Sequence, residues 1–261
     1  MVAGGIESYG HKRNHTFFAT TELKEQLEKF CLLENTNITR SESVNEIDCE
    51  NHYVQNTKRD ESGRYIVCLP FREEGHDYNH LRGIVLRRFH NLWKKLHANI
   101  ELWKEYKWIM REYIDLGHMS IVEERPIGGC YLPHHAVIKS SSVTTKVRVV
   151  FDVSAKNDKR LSLNDTLLVG PKIQDTLVEH LLRFWMYQYV LTADIEKMYQ
   201  HIWIHPDDRQ YQRIFWWHNE QICTFELNTV TFGIASAPFL VIQTIKQLGK
   251  DEETIHSEPK Y

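Results

Sequence analysis

Two runs of apolar residues at helical spacing, followed by an abrupt change to short strand-like strings, constrain this chain most. Leu81, Val85, Phe89, Leu92 and Leu96 step by 4, 4, 3 and 4 residues, and Leu102, Tyr106, Ile109, Tyr113 and Leu116 by 4, 3, 4 and 3. Each set traces one face of a helix. Residues 78–117 are therefore expected to form two amphipathic helices, with Gly117 at the C-terminal end of the second. From residue 118 the pattern shortens. Ala136–Lys139, Val147–Asp152, Tyr189–Asp194, Ile202–Ile204, Arg213–Trp217 and Ile222–Leu227 are β-like. Helices are expected over Ile173–Trp185, with Pro171 near the start, and from Ala237-Pro238 through Leu248. Strands mixed with helices predict an α+β layer architecture.

The ends read differently. Residues 1–50 are expected to be a lead-in, partly disordered or helical, in which Glu22–Leu33 has a short amphipathic pattern. Residues 51–118 hold the strand-like Gly63–Pro70 and the two helices, residues 119–250 the mixed core, and residues 251–261 a polar tail expected to fray. Five cysteines, at 31, 49, 68, 130 and 223, contain no Cys-x-x-Cys pair and read as free thiols in a reducing compartment. The start lacks the basic and apolar regions of a signal peptide, and the most apolar stretch, Phe184–Ala193, is too short to span a bilayer. The expectation is a chain that is neither secreted nor membrane-bound.

A net charge of −3 does not announce a nucleic-acid binder. Locally the picture differs, because residues 81–111 carry eight Lys and Arg against two Glu, a net of +6. A solvated helical face and a phosphate-contacting surface both fit that count.

Three segments carry chemistry. In Tyr189–Tyr199 an apolar strand pattern runs into Asp194, and an acid at a strand end is either an N-cap or a rigidly held metal ligand. A carboxylate beside a backbone carbonyl offers hard oxygens to Mg²⁺. In Lys146–Asp152, alternation puts Lys146, Arg148 and Val150 on one face, which is either a solvated edge or a grip for phosphates. Lys139 precedes the intervening turn and could approach Arg148 across a hairpin. In Thr231–Phe239, Gly233 and small residues allow close backbone approach, and Pro238 suits a first helical turn.

In this order and spacing, the segment from about Tyr131 to Leu248 resembles the reverse transcriptases of LTR retrotransposons. The wording is closest to the Bel/Pao group: YLPHHAVIK, KVRVVFDVSAK, LSLNDTLLVGPKIQDTL, YVLTADIEKMYQHIWIHPDDRQYQRIFW and TFGIASAPF. GRYIVCLPF and the two helices followed by GHM look like the region just upstream, so the likeness covers roughly residues 50–250. The resemblance implies the fingers and part of the palm of a right-hand polymerase, preceded by a helical extension. It implies Asp194 as the first catalytic carboxylate, holding both Mg²⁺ ions, and the Ile195 carbonyl as a ligand of the nucleotide-side metal. It implies Tyr199 as the aromatic that blocks a ribose 2′-OH, and Arg148 as the arginine on the incoming triphosphate. Lys139 and Lys146 are candidates for the companion lysine, and Phe232 and Gly233 match the nucleotide- and template-facing motif. Asp152 and Asn164 match positions whose expected role is structural. The implied partners are an RNA or DNA template-primer, dNTP and the remaining polyprotein segments, in a cytoplasmic particle or the nucleus.

The family's Tyr-x-Asp-Asp motif is not found after residue 238. Asp207-Asp208 precedes the Gly233 motif and follows Pro206, so it reads as a turn. The expectation is therefore a fragment of an RNA-directed DNA polymerase that is inactive alone, because two-metal transfer needs carboxylates from more than one strand. A non-catalytic nucleic-acid-binding remnant, and a fragment without selected function, are the alternatives. Neither His134-His135, whose side chains should point to opposite faces, nor His11 and His15 reads as a metal pair.

Overall fold

A computed structural model describes residues 43–72, 81–122, 128–138 and 147–256, the last three by backbone alone. The Glu22–Leu33 pattern, His11, His15, Lys139 and Lys146 lie outside the described residues. The chain divides into two compact units, of which the smaller is described over residues 175–193 and the larger over the remaining described residues. The architecture is mixed α+β.

In chain order the elements of the larger unit begin with α1 (Val44–Asn56), β1 (Lys58–Arg59) and β2 (Tyr65–Val67). α2 (Leu81–His97), α3 (Ile100–Asp115) and β3 (Met119–Ile121) follow, then β4 (His134–Ile138) and β5 (Val147–Phe151). In the smaller unit lies α4 (Leu177–Met186). β6 (Trp203–Ile204), β7 (Arg213–His218), β8 (Gln221–Leu227) and α5 (Ala237–His256) complete the larger one. Among the described residues three small sheets form: β1-β2-β6, with β2 parallel to β6; β3-β8-β7, wholly antiparallel; and the β4-β5 pair. No helix among the described residues is long and apolar enough to cross a membrane.

The two central helices follow their spacing. Leu81, Val85, Phe89, Leu92 and Leu96 of α2 are buried, as are Tyr106 and Met110 of α3. Asn99 caps α3 by accepting from the Leu102 N–H at 3.1 Å. Gly117 takes the left-handed φ of +72° that lets its N–H close on the Ile114 carbonyl at 3.0 Å. α1 escapes a hydrophobic-pattern reading because it is mostly polar. It starts on a capping box, with Glu46 and Ser43 satisfying each other's backbone N–H groups. Cys49 and Tyr53 then bury its one apolar edge.

Three expectations are corrected. Tyr189–Asp194 forms no strand. Its residues pair with nothing among the described residues, and Leu191 is 97% exposed; an extended segment without a ladder partner has no sheet to join. α4 begins at Leu177 rather than at Ile173, because the Thr176–Glu179 capping box sets its start four residues further on. Finally, α5 runs past Leu248 to His256, into the stretch from residue 251 expected to fray. The Tyr65 hydroxyl donates to Asp251, and Arg59 reaches Glu252 at 3.4 Å, so the last turns are tied to β1 and β2.

The core is one apolar cluster with a polar group at its centre. His134 accepts the Tyr106 hydroxyl on Nδ1 at 2.5 Å and donates from Nε2 to the Phe215 carbonyl at 2.9 Å. Phe89, Phe151 and Trp216 surround the ring. Burial pushes the His134 imidazole from its usual 6.5 down to about 4. The unfolded chain therefore binds the extra proton first, and stability falls as pH drops from about 6.5 towards 4. The gap corresponds to roughly 3 kcal/mol for this one group. Urea unfolding at pH 7 and in the pH window just above 4 should show that loss. His134→Gln should be less stable at neutral pH and lose less on acidification; an undiminished acid loss would place the effect elsewhere.

Candidate functional site

The motif residues converge on the loop before α5. Gly233 sits at φ +99°, and a Cβ there would stand 2.9 Å from the Phe151 carbonyl at the end of β5. Only glycine combines that backbone with that approach. The loop is pinned from the other side by Asn164. Its Nδ2 donates to the Gly233 carbonyl at 2.8 Å and to Ser154 Oγ at 3.0 Å, and its Oδ1 accepts the Ala235 N–H at 2.8 Å. Phe232 is thereby held with its ring 4.0 Å, centroid to centroid, from that of Tyr199. Tyr199 is half-buried, which pushes its hydroxyl upward.

Tyr199 is placed by its own neighbourhood. It belongs to a short 3-10 turn, Met198–His201, entered through Lys197 at a left-handed φ of 53°. Lys197 pays into that turn with an ion pair to Glu112 of α3 at 2.7 Å, and Gln200 donates to the Tyr113 hydroxyl at 2.7 Å. The backbone then leads into β6, where the Val230 N–H reaches the Ile202 carbonyl at 2.9 Å.

The structure thus brings together Tyr199, Phe232, Gly233 and the end of β5. Arg148 lies on the exposed side of β5, opposite Val137. Asp194 and Ile195 are exposed. Neither the Arg148 guanidinium nor the Asp194 carboxylate has a hydrogen bond or ion pair among the described residues, so both remain available to a ligand. An unengaged carboxylate with an adjacent backbone carbonyl is chemically suited to a hard cation, and an unengaged guanidinium to a phosphate. Asp152 is engaged, by Arg88 at 2.8 Å.

Other candidates resolve into structural roles. Asp207 and Asp208 lie in a 3-10 turn, Pro206–Gln212, where Asp208 accepts the Leu69 N–H at 2.8 Å. Burial pushes its carboxyl upward. His134 is buried and His135 exposed, on opposite faces of β4. No group of three or more His, Cys, Asp or Glu among the described residues could hold a metal ion. Burial pushes the Cys49 and Cys130 thiols up to about 12 and the Cys68 thiol up to about 11, which makes them poor nucleophiles. Sequence reasoning missed Asn164 as the pin of the Gly233 loop, because its partners lie about seventy residues away and no local pattern announces them. It also missed Arg64, stacked 4.2 Å over Trp203 of β6.

No family model and no curated protein matches this chain.

Asn164→Ala leaves the Ala235 N–H and the Gly233 carbonyl without their partner, and should cost ~1–3 kcal/mol in urea unfolding. The Ala235 amide should lose protection against hydrogen exchange more than amides of α3. Gly233→Ala should destabilise similarly, through backbone strain and the Phe151 carbonyl. Unchanged exchange at Ala235 in Asn164→Ala would show that the loop holds itself.

Proposed function

We propose that this chain is a fragment of an RNA-directed DNA polymerase of the reverse-transcriptase kind and carries its nucleotide-facing half-site. The observation that carries this reading is the meeting of Tyr199 and Phe232 at 4.0 Å. Two motif segments more than thirty residues apart, singled out for nucleotide contact, form one aromatic wall beside Gly233. In this reading the wall lies against the sugar of an incoming dNTP, with Tyr199 filling the space a ribose 2′-OH needs. Arg148 takes the triphosphate. Asp194 and the Ile195 carbonyl are the groups that would hold Mg²⁺, which neutralises triphosphate charge and activates the primer 3′-OH when bound. Lys139 and Lys146, which lie between β4 and β5 in the sequence and outside the described residues, are the candidates for the companion cation. The fingers and partial palm are the proposed fold identity of the larger unit. Template-primer and further polyprotein segments are the proposed partners.

The 261 residues supply one carboxylate motif of the kind two-metal transfer needs from several strands. The chain should therefore not extend a primer on its own, and dNTP incorporation by nuclease-free protein would overturn that. Binding of dTTP and UTP with Mg²⁺, read by ligand-observed NMR, tests the half-site directly. dTTP should be preferred, Arg148→Gln should abolish the signal, and Tyr199→Ala should raise UTP binding to the dTTP level. Absence of dTTP binding at millimolar concentration, or no change in preference with Tyr199→Ala, would sink the reading.

A further inference from the structure

α2 departs from ordinary solvated helices in its charge. Its 17 residues include Arg82, Arg87, Arg88, Lys94 and Lys95 and not one Asp or Glu, in a chain whose net charge is −3. A surface helix kept soluble by charge normally mixes signs, because i,i+4 pairs of opposite charge stabilise it. Here the cations are exposed, and Arg87, Lys94 and Lys95 have no ion-pair partner among the described residues. Arg82 is spent over the Phe215 ring, and Arg88 reaches Asp152.

The cations stand beside a cleft. A hollow of about 510 Å³ opens between α2, the start of α3 and β4. Arg88, Asn91, Lys95 and His135 form its polar rim, while Leu96 and Leu102 contribute to an apolar floor. His135 pairs with Val150 across the hairpin and Val137 with Arg148, so His135 and Arg148 belong to the same face of the β4-β5 ribbon. The polar rim of the cleft therefore continues towards Arg148.

The spacing selects the ligand. Arg88 and Lys95, like Arg87 and Lys94, are seven residues apart, or roughly 10 Å along a helix. One phosphate cannot bridge that distance, whereas a polymer with repeating phosphates can. The apolar floor selects further. A duplex keeps its bases inside and presents only phosphate and sugar, which leaves such a floor empty. A single strand can turn a base onto it.

We propose that the cleft between α2, the start of α3 and β4 binds single-stranded nucleic acid, with phosphates on Lys95 and on the guanidinium nitrogens of Arg88 that its Nη2 contact with Asp152 leaves open, and a base over Leu96 and Leu102. The proposed contacts, Arg88, Lys95, Leu96 and Leu102, include none of Arg148, Asp194, Tyr199, Phe232 or Gly233, so the site stands or falls independently of the nucleotide half-site.

The test is fluorescence anisotropy of the full chain with a labelled oligothymidylate of about 16 nucleotides, titrated between about 50 and about 200 mM salt. Arg88→Gln with Lys95→Gln should reduce the steepness of the log–log salt dependence by ~1.4, two single-strand phosphate contacts. Arg88→Lys with Lys95→Arg should restore it, which separates lost charge from lost fold. Asn91→Trp, at an exposed position on the rim, should fill the cleft and weaken binding about tenfold while the salt slope stays. Lys159→Gln with Lys172→Gln removes two exposed cations elsewhere and should change neither. The proposal is overturned if this control falls as far as the α2 pair, if Asn91→Trp binds normally, or if a duplex binds as tightly. Displacement by polyglutamate at equal charge would instead assign α2 to an acidic protein and also overturn it. The dTTP experiment above reads the half-site separately, so failure of one leaves the other intact.

Discussion

A single buried imidazole holds the larger unit in register. His134 joins α3 through Tyr106 and β7 through the Phe215 carbonyl, and its own strand pairs it with Phe151. Only the neutral ring can accept on one nitrogen and donate from the other without placing a charge among Phe89, Phe151 and Trp216. The consequence travels along the backbone. His134 lies opposite Phe151 in the β4-β5 ladder, and the carbonyl of Phe151, the last residue of β5, abuts Gly233. The aromatic wall of Tyr199 and Phe232 is therefore downstream of a histidine that makes no contact with either.

Gly233 is clamped rather than merely permitted. On one side a carbonyl leaves no room for a Cβ; on the other Asn164 engages both the Gly233 carbonyl and the Ala235 N–H. One amide side chain can satisfy a donor and an acceptor of the same loop, which aspartate or leucine cannot. The loop thus reaches α5 with its backbone groups paired, and Ala237, Leu240 and Val241 can bury at once.

How legible this was in the sequence depended on the range of the forces involved. α2 and α3 were legible because burial acts every third or fourth residue, and Leu81 through Leu96 repeat without a break. β4, β5, β7 and β8 were legible from β-branched and aromatic content. α1 was missed although Ser43 and Glu46 spelled its start, because a short polar helix gives little apolar period to read. Asn164 could be singled out as a residue but not as a pin. The Tyr199–Phe232 contact and the Arg88–Asp152 pair are likewise products of the tertiary fold. The continuation of α5 past Leu248 rests on Tyr65 and Arg59, both in strands almost two hundred residues earlier.

The segment preceding Asp194 draws the sharpest line between local and tertiary order. α4 has a complete capping box and forms, yet buries none of its residues. A helix satisfies its own backbone, so local signals suffice to define it. Tyr189–Ala193 has comparable apolar content and does not become a strand, because a strand must borrow its hydrogen bonds from a neighbour. This bears on the chemistry. A metal-binding carboxylate works when the strand behind it is locked in a sheet, since a group free to reorient gives back much of the electrostatic gain. Asp194 follows a segment with no ladder partner among the described residues, so on the proposed reading no described strand aims its carboxylate. On the proposed polymerase reading, carboxylates supplied in trans should not by themselves give primer extension unless a strand also pairs with residues 189–193.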